Sequence, residues 1–236
     1  MPRSHYETIT TPDGDFDAFC AVPETTPAPA VLVLQEVFGI NDNIRGLCEQ
    51  LADAGYLALA PDVFWRLERR FESKDESGLA DGMAHVQRLD FDLVPGDLTA
   101  TMAHALAMPE CNGRIGAVGF CLGGTLAYIF AATARVDGRG PDAVVSYYGS
   151  GINGMLDLAP RVECPVLFHY GARDPYIPAE RIDEVEQAFA GRSDVVLYRY
   201  DAGHAFSNWD APTFFDKQAA EEAWPRTLDF LASHLS

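Results

Sequence analysis

Short apolar runs without internal alternation recur along the chain, at residues 31–34, 57–60, 115–120, 143–148, 166–170 and 195–200. Runs of this length and uniformity mark strands buried on both faces. A pair of strands at 6–10 and 16–21 precedes them. Between the runs the apolar period lengthens to that of a helix. Residues 43–54 place Ile44, Leu47, Cys48 and Leu51 on one face and end at Gly55, and residues 93–108 carry Leu98, Met102 and Leu106 and stop before Pro109. Further helices are expected at 78–89, 122–134, 179–190 and 219–234. Alternation of this kind predicts an α/β fold: a doubly wound, mostly parallel sheet of about eight strands flanked by helices in a three-layer sandwich. Its ligand crevice lies at the carboxyl ends of the strands. No repeat or linker divides the pattern, since the Pro-rich stretch 23–29 only joins two strands, so residues 1–236 read as a single domain.

Composition narrows the picture by exclusion. With 236 residues, 48% of them apolar, the chain can bury a core without disulfide staples. Its longest apolar runs are far shorter than a membrane span, and its first residues lack the apolar core of an export signal. Five cysteines, an odd count without a CxxC pair, argue against a disulfide framework or a zinc site. A cytoplasmic location without metal or cofactor is the expectation. The net charge of −18, with two lysines among seventeen basic residues, repels nucleic acid and anionic lipid. The expected partner is a small molecule, and the chain a monomer or small homo-oligomer.

The chemistry concentrates at Gly119-Phe120-Cys121-Leu122-Gly123, where the run 115–120 gives way to a helix. Glycine two residues either side of a central residue permits a turn too tight for a Cβ there, and it leaves Cys121 raised at a helix start. Two later strand-end loops carry Asp174, before Pro175, and His204 in Ala-Gly-His-Ala-Phe. A thiol is only slightly ionised at neutral pH, so it needs a base, which His204 supplies, and a carboxylate to fix the ring's tautomer, which Asp174 supplies. Asp201 is the rival acid. Cys20, Cys48, Cys111 and Cys164 read as small buried hydrophobes, His169 as a core residue, and His5, His85, His104 and His234 as surface or core. The loop Gln35-Glu36-Val37-Phe38-Gly39 follows the run 31–34, and Glu36 there is a carboxylate that needs a partner if buried.

The elbow and the order nucleophile, acid, histidine resemble the α/β-hydrolases. That likeness implies an oxyanion hole made by the backbone amides of Val37 and Leu122. Gln-Glu-Val-Phe-Gly at 35–39, Gly-Tyr-Leu-Ala-Leu-Ala-Pro-Asp at 55–62, Val-Gly-Phe-Cys-Leu-Gly-Gly at 118–124, Tyr-Tyr-Gly at 147–149 and Ala-Gly-His-Ala-Phe at 202–206 resemble more closely the dienelactone hydrolase (carboxymethylenebutenolidase) family. The resemblance implies a Cys121–His204–Asp174 triad that opens an enol lactone through a thioester, giving maleylacetate in the family. It also implies that Glu36 holds the resting thiol until substrate displaces it. The chain departs from the family at its two carboxylate-gripping arginines: one position is Asn208, and the other falls in 76–80, which has no arginine. Arg66, Arg69 or Arg70 are the candidate substitutes. Otherwise the pocket, with Phe38, Trp65, Tyr148, Phe206, Asn208 and Trp209 as candidate lining, suits a less anionic ester or lactone. Alternatives are a broad-specificity carboxylesterase or thioesterase, and a non-catalytic small-molecule binding protein on the same scaffold. Nucleotide binding is disfavoured, because the glycine spacing is not GxGxxG.

Overall fold

The computed structural model describes residues 3–236. Eight strands form one sheet: β1 (Arg3–Thr11), β2 (Gly14–Val22), β3 (Ala28–Leu34), β4 (Leu57–Pro61), β5 (Cys111–Phe120), β6 (Ala143–Tyr147), β7 (Val166–Gly171) and β8 (Val195–Tyr200). Their spatial order is β1-β2-β4-β3-β5-β6-β7-β8. The hairpin β1–β2 is antiparallel and β2 meets β4 antiparallel, while every pairing from β4 through β8 is parallel. Six α-helices pack around the sheet: α1 (Asp42–Asp53), α2 (Leu79–Arg88), α3 (Val94–Ala107), α4 (Leu122–Thr133), α5 (Ala179–Ala188) and α6 (Lys217–Leu235).

The apolar runs explain the layering. The residues of β4 and β6 are buried throughout, as strands covered on both faces must be. α1 begins at Asn41, whose side chain accepts from the Ile44 amide, and it buries Ile44, Leu47, Cys48 and Leu51. α4 is apolar all round and all but its last residue are buried, the mark of a central helix.

Two expectations change. The run 195–200 is an edge strand with alternating exposure rather than a fully buried one, since β8 closes the sheet and has a neighbour on one side only. A 3₁₀ stretch, Ile152–Arg161, also appears between β6 and β7 where no element was expected; its Gly154 and Pro160 obscure any helical period. No helix among the described residues is long and apolar enough to cross a membrane.

Candidate active site

The elbow forms because two backbone approaches leave no room for a side chain. A Cβ at Gly119 would lie 1.9 Å from the Gly123 carbonyl oxygen, and one at Gly123 would lie 2.0 Å from that of Leu34. Cys121 between them sits at φ 53°, ψ −115°, strained for a non-glycine residue. Its amide donates to the Tyr147 carbonyl at 3.1 Å, which ties the corner to β6. Tyr148 and Ala205 are likewise at positive φ, so three of the six such non-glycine residues among those described stand at this site. Strain concentrated there is held by the packed strand ends around it.

The loops after β7 and β8 bring the acid and the imidazole to the sulfur. His204 Nδ1 donates to Asp174 Oδ2 at 2.6 Å, and Nε2 stands 3.1 Å from Cys121 Sγ. Asp174 is itself fixed, its Oδ1 accepting from the Tyr176 and Ile177 amides at 2.8 and 3.2 Å. Asp201, the rival acid, lies exposed against Arg173 instead. Burial alone would lower the His204 pKa. Negative charge on Cys121 and the hydrogen bond to Asp174 outweigh it, and the imidazole is held well above its ordinary value.

Glu36 is 2% exposed and lines the same cavity as Cys121. Its Oε1 accepts from the Tyr148 hydroxyl at 3.1 Å and its Oε2 from the Asn208 amide. The Asn208 carbonyl in turn accepts from the Asp210 amide at 3.0 Å, which fixes the orientation of its NH2. Burial raises the Glu36 carboxyl to about 7, although His204, Asn208 and Tyr148 all favour its anion. The sulfur is thus turned to His204, and the carboxyl of Glu36 is held by two neutral donors. Val37 lies in the turn after Glu36 and Leu122 is the first residue of α4, where the amide lacks an acceptor within its own helix. Val37 lines the sulfur's cavity, and Leu122 follows Cys121 in the chain.

That cavity, about 200 Å³, has Leu79 and Met83 of α2, Phe38, Tyr176 and Phe214 among its walls. Leu79 and Met83 share one face of α2, an i,i+4 spacing legible in the sequence, whereas Phe214 lies in a loop with no periodic signal. Among the described residues, no lysine or arginine lines it. Arg66 is tied to Asp13 and Asp97, Arg69 to the Asp15 carbonyl and Arg70 to Asp17, so none of them takes the place of an absent arginine.

Five expected wall residues stand elsewhere. Trp65 packs on Phe16 in a separate cluster and donates to Asp97 at 2.9 Å, because β1 and β2 offer it an apolar face away from the crevice. Phe206 is fully buried beneath Tyr148 and Tyr200, a support rather than a wall. Tyr148 and Asn208 reach Glu36 from behind, and Trp209 lines a different hollow. Phe38 alone of the six is a wall residue.

The sequence model of the Dienelactone hydrolase family matches residues 16–235. Carboxymethylenebutenolidase 1 of Cupriavidus pinatubonensis is 36% identical over 227 residues, covering 93% of this chain and 92% of that protein. Carboxymethylenebutenolidase of Pseudomonas sp. strain P51 is 35% identical over 222 residues, covering 92% and 90%. Among solved structures, a candidate dienelactone hydrolase of Klebsiella pneumoniae superposes with a TM-score of 0.85 at 28% identity, over 99% of this chain and 100% of that one. The sheet order and elbow are those of the α/β-hydrolase fold that such neighbours share. Matched over nearly its whole length at these identities, the chain belongs to the dienelactone hydrolase family and is a hydrolase of carboxylic ester or lactone bonds.

Proposed function

We propose that this protein opens a small lactone or ester with Cys121 as nucleophile, through a thioester intermediate. The observation that carries the reading is the unbroken line from Asp174 through His204 to Cys121, at 2.6 and 3.1 Å, on the wall of a cavity. The proton shared between Cys121 Sγ and His204 Nε2 stays with the imidazole as sulfur bonds to the acyl carbon, and His204 gives it to the leaving oxygen as the ester bond breaks. In a lactone the freed hydroxyl stays tethered to the acyl group. Water then attacks the thioester with His204 again as base, which releases the acid and restores the thiol. Asp174 keeps the ring oriented and stabilises the imidazolium.

The amides of Val37 and Leu122 are the proposed donors to the developing oxyanion. Loss of one such donor costs ~100- to 1000-fold in rate. Glu36, with its carboxyl raised to about 7, holds or yields one proton near neutrality beside the reacting centre. Its hydrogen bonds to Tyr148 and Asn208 keep it off the sulfur, which fits an engaged rather than a resting arrangement.

The substrate follows from the walls. Leu79, Met83, Phe38 and Phe214 offer apolar contact, and no cation among the described residues stands in the cavity to grip a free carboxylate on the substrate. A neutral acyl compound fits better than one that carries such a carboxylate. The same lining favours a broader carboxylesterase or thioesterase range as the second reading. Rates for cis- and trans-dienelactone beside a neutral p-nitrophenyl ester and an acyl thioester separate these. The neutral ester should be turned over at least as well as the dienelactones, and a strong dienelactone preference would overturn the substrate reading. Mass spectrometry of acid-quenched reactions should find the acyl group on Cys121; its absence there ends the thioester reading.

A further inference from the structure

α6 contains a proline at Pro225, which has no N–H to give. The Glu221 carbonyl, four residues earlier, is therefore left without its helical donor. Both residues face a hollow of about 310 Å³ between α1 and α6, larger than the cavity at Cys121. Trp209, Trp224 and Phe215 wall it, and Leu47 of α1 lies against it. Trp209 is seated rather than loose, since a Cβ at Gly46 of α1 would come within 2.9 Å of its ring. Ser207 supplies the polar edge. Its hydroxyl lies 2.7 Å from that of Tyr148, which itself donates to Glu36. Because Tyr148 donates to Glu36, Ser207 is the donor in its pair with Tyr148, which leaves the Ser207 oxygen free to accept.

We propose that this hollow is a second small-molecule site, and that it takes a neutral aryl alcohol. The aromatic walls suit a flat ring. Glu221's carbonyl and the Ser207 oxygen are acceptors on the inner side, and the exposed Gln50 amide at the rim can give or take, so an occupant that brings a donor is met at both depths. An anion finds no lysine or arginine in the lining and meets a chain of net charge −18. A cation would need a counter-charge when desolvated, and the Glu221 carboxylate is already paired with Lys217 at 3.6 Å. A hydroxyl on a neutral ring meets both conditions.

The test uses 4-methylphenol and the protein's own tryptophan emission. Two of the three tryptophans line the hollow, while Trp65 stands in its separate cluster. Emission should be quenched saturably, and the titration should survive alkylation of Cys121 by iodoacetamide. Ala220→Leu on α6, which narrows the hollow, should weaken binding ~10-fold, about 1.4 kcal/mol, with ester turnover in the absence of phenol unchanged. Quenching that does not saturate, or that Ala220→Leu leaves intact, overturns the site. Quenching lost on alkylation moves the phenol to the catalytic cavity and overturns it too. Equal binding of 4-methylbenzoate or 4-methylbenzylamine overturns the ligand class. Emission that follows protein concentration, with a dimer in sedimentation, gives the surface to a second copy instead. The binding assay needs no turnover, so it stands or falls apart from the proposed hydrolysis.

Discussion

His169 within β7 and His204 on the loop after β8 are both shielded from solvent, at 0% and 9% exposure, yet they behave as opposites. Burial lowers His169 to about 3, aided by the charge of Arg226, and its two nitrogens meet only the hydroxyls of Tyr200 and Thr227, at 2.8 and 3.1 Å. His204 carries the same desolvation but faces Asp174 and Cys121, and it rises. Burial therefore does not decide the state of an imidazole here; the presence of an anionic partner does. One ring is a neutral strut inside the sheet, and the other is a base at the crevice.

The largest effects should come from exchanging these roles. His204→Gln is expected to cut kcat/KM by ~10,000-fold or more, as loss of a base from such a triad does, and Asp174→Asn by ~10,000-fold. His169→Gln should leave kcat within a few-fold and cost about 1–3 kcal/mol of stability through lost hydrogen bonds. The pH dependence separates the two further. Between 6.5 and about 3 the unfolded chain takes up a proton that folded His169 refuses, so its contribution is complete above 6.5 and is lost as pH falls toward 3. For His204 the sign reverses: its contribution is present below 6.5 and lost as pH rises through its higher folded value. Urea midpoints on the acid side should fall less steeply in His169→Gln than in the native chain. An inactive His169→Gln protein that keeps its native midpoint would break the comparison.

Glu36 sharpens it from the acid side, as a buried group whose partners are hydrogen-bond donors and a base instead of an anion. Glu36→Gln should lower kcat/KM ~10- to 100-fold, the scale of one positioned proton donor or acceptor, and should remove a limb near pH 7 from the rate profile. Its folded pKa lies above its ordinary 4.5, so the stability it lends is complete below 4.5 and is lost as pH rises through about 7. The groups facing it are His204, Asn208, Tyr148 and Asp210. Relative to the native chain, Glu36→Gln should gain on the order of 3 kcal/mol between the two ends of that window. Equal pH dependence in the two proteins would return Glu36 to an ordinary wall residue.

Most of the fold was legible because parallel strands announce themselves as uniform apolar runs: β3 to β8 fall on the six runs, and β1 and β2 on the expected pair at 6–10 and 16–21. The edge position of β8 was not, since 195–200 opens on the same apolar Val-Val-Leu as a central strand and Arg199 is its one charged residue; its neighbours decide its exposure. At the site, glycine spacing and chain order place Cys121, Asp174 and His204 on loops that the structure brings together. The cavity walls were poorly legible. Aromatic character marks Trp65, Phe206 and Phe38 alike, and nothing local tells which of them faces the crevice. Tyr176 could have been found from its place two residues after Asp174, and Leu79 with Met83 from their helical spacing. Ser207 and the hollow behind it depend on how α1 and α6 close over the loop, which no local pattern encodes.

The smallest expected effect concerns Trp65. Its indole lies at 5.5 Å and 22° to the Phe16 ring, with the Arg66 guanidinium 4.2 Å from its centre and its N–H on Asp97. All of these partners belong to the β1–β2 side of the sheet and none lines the cavity at Cys121. Trp65→Phe keeps a ring against Phe16 and deletes the N–H, which leaves Asp97 with Arg66 as its remaining side-chain donor. The loss should be about 1 kcal/mol in stability, with kcat and KM for any ester within twofold of native. A tenfold fall in kcat/KM at unchanged stability would mean that the cluster under β1 and β2 communicates with the crevice. The line drawn here between a packed interior and a reacting surface would then have to be moved.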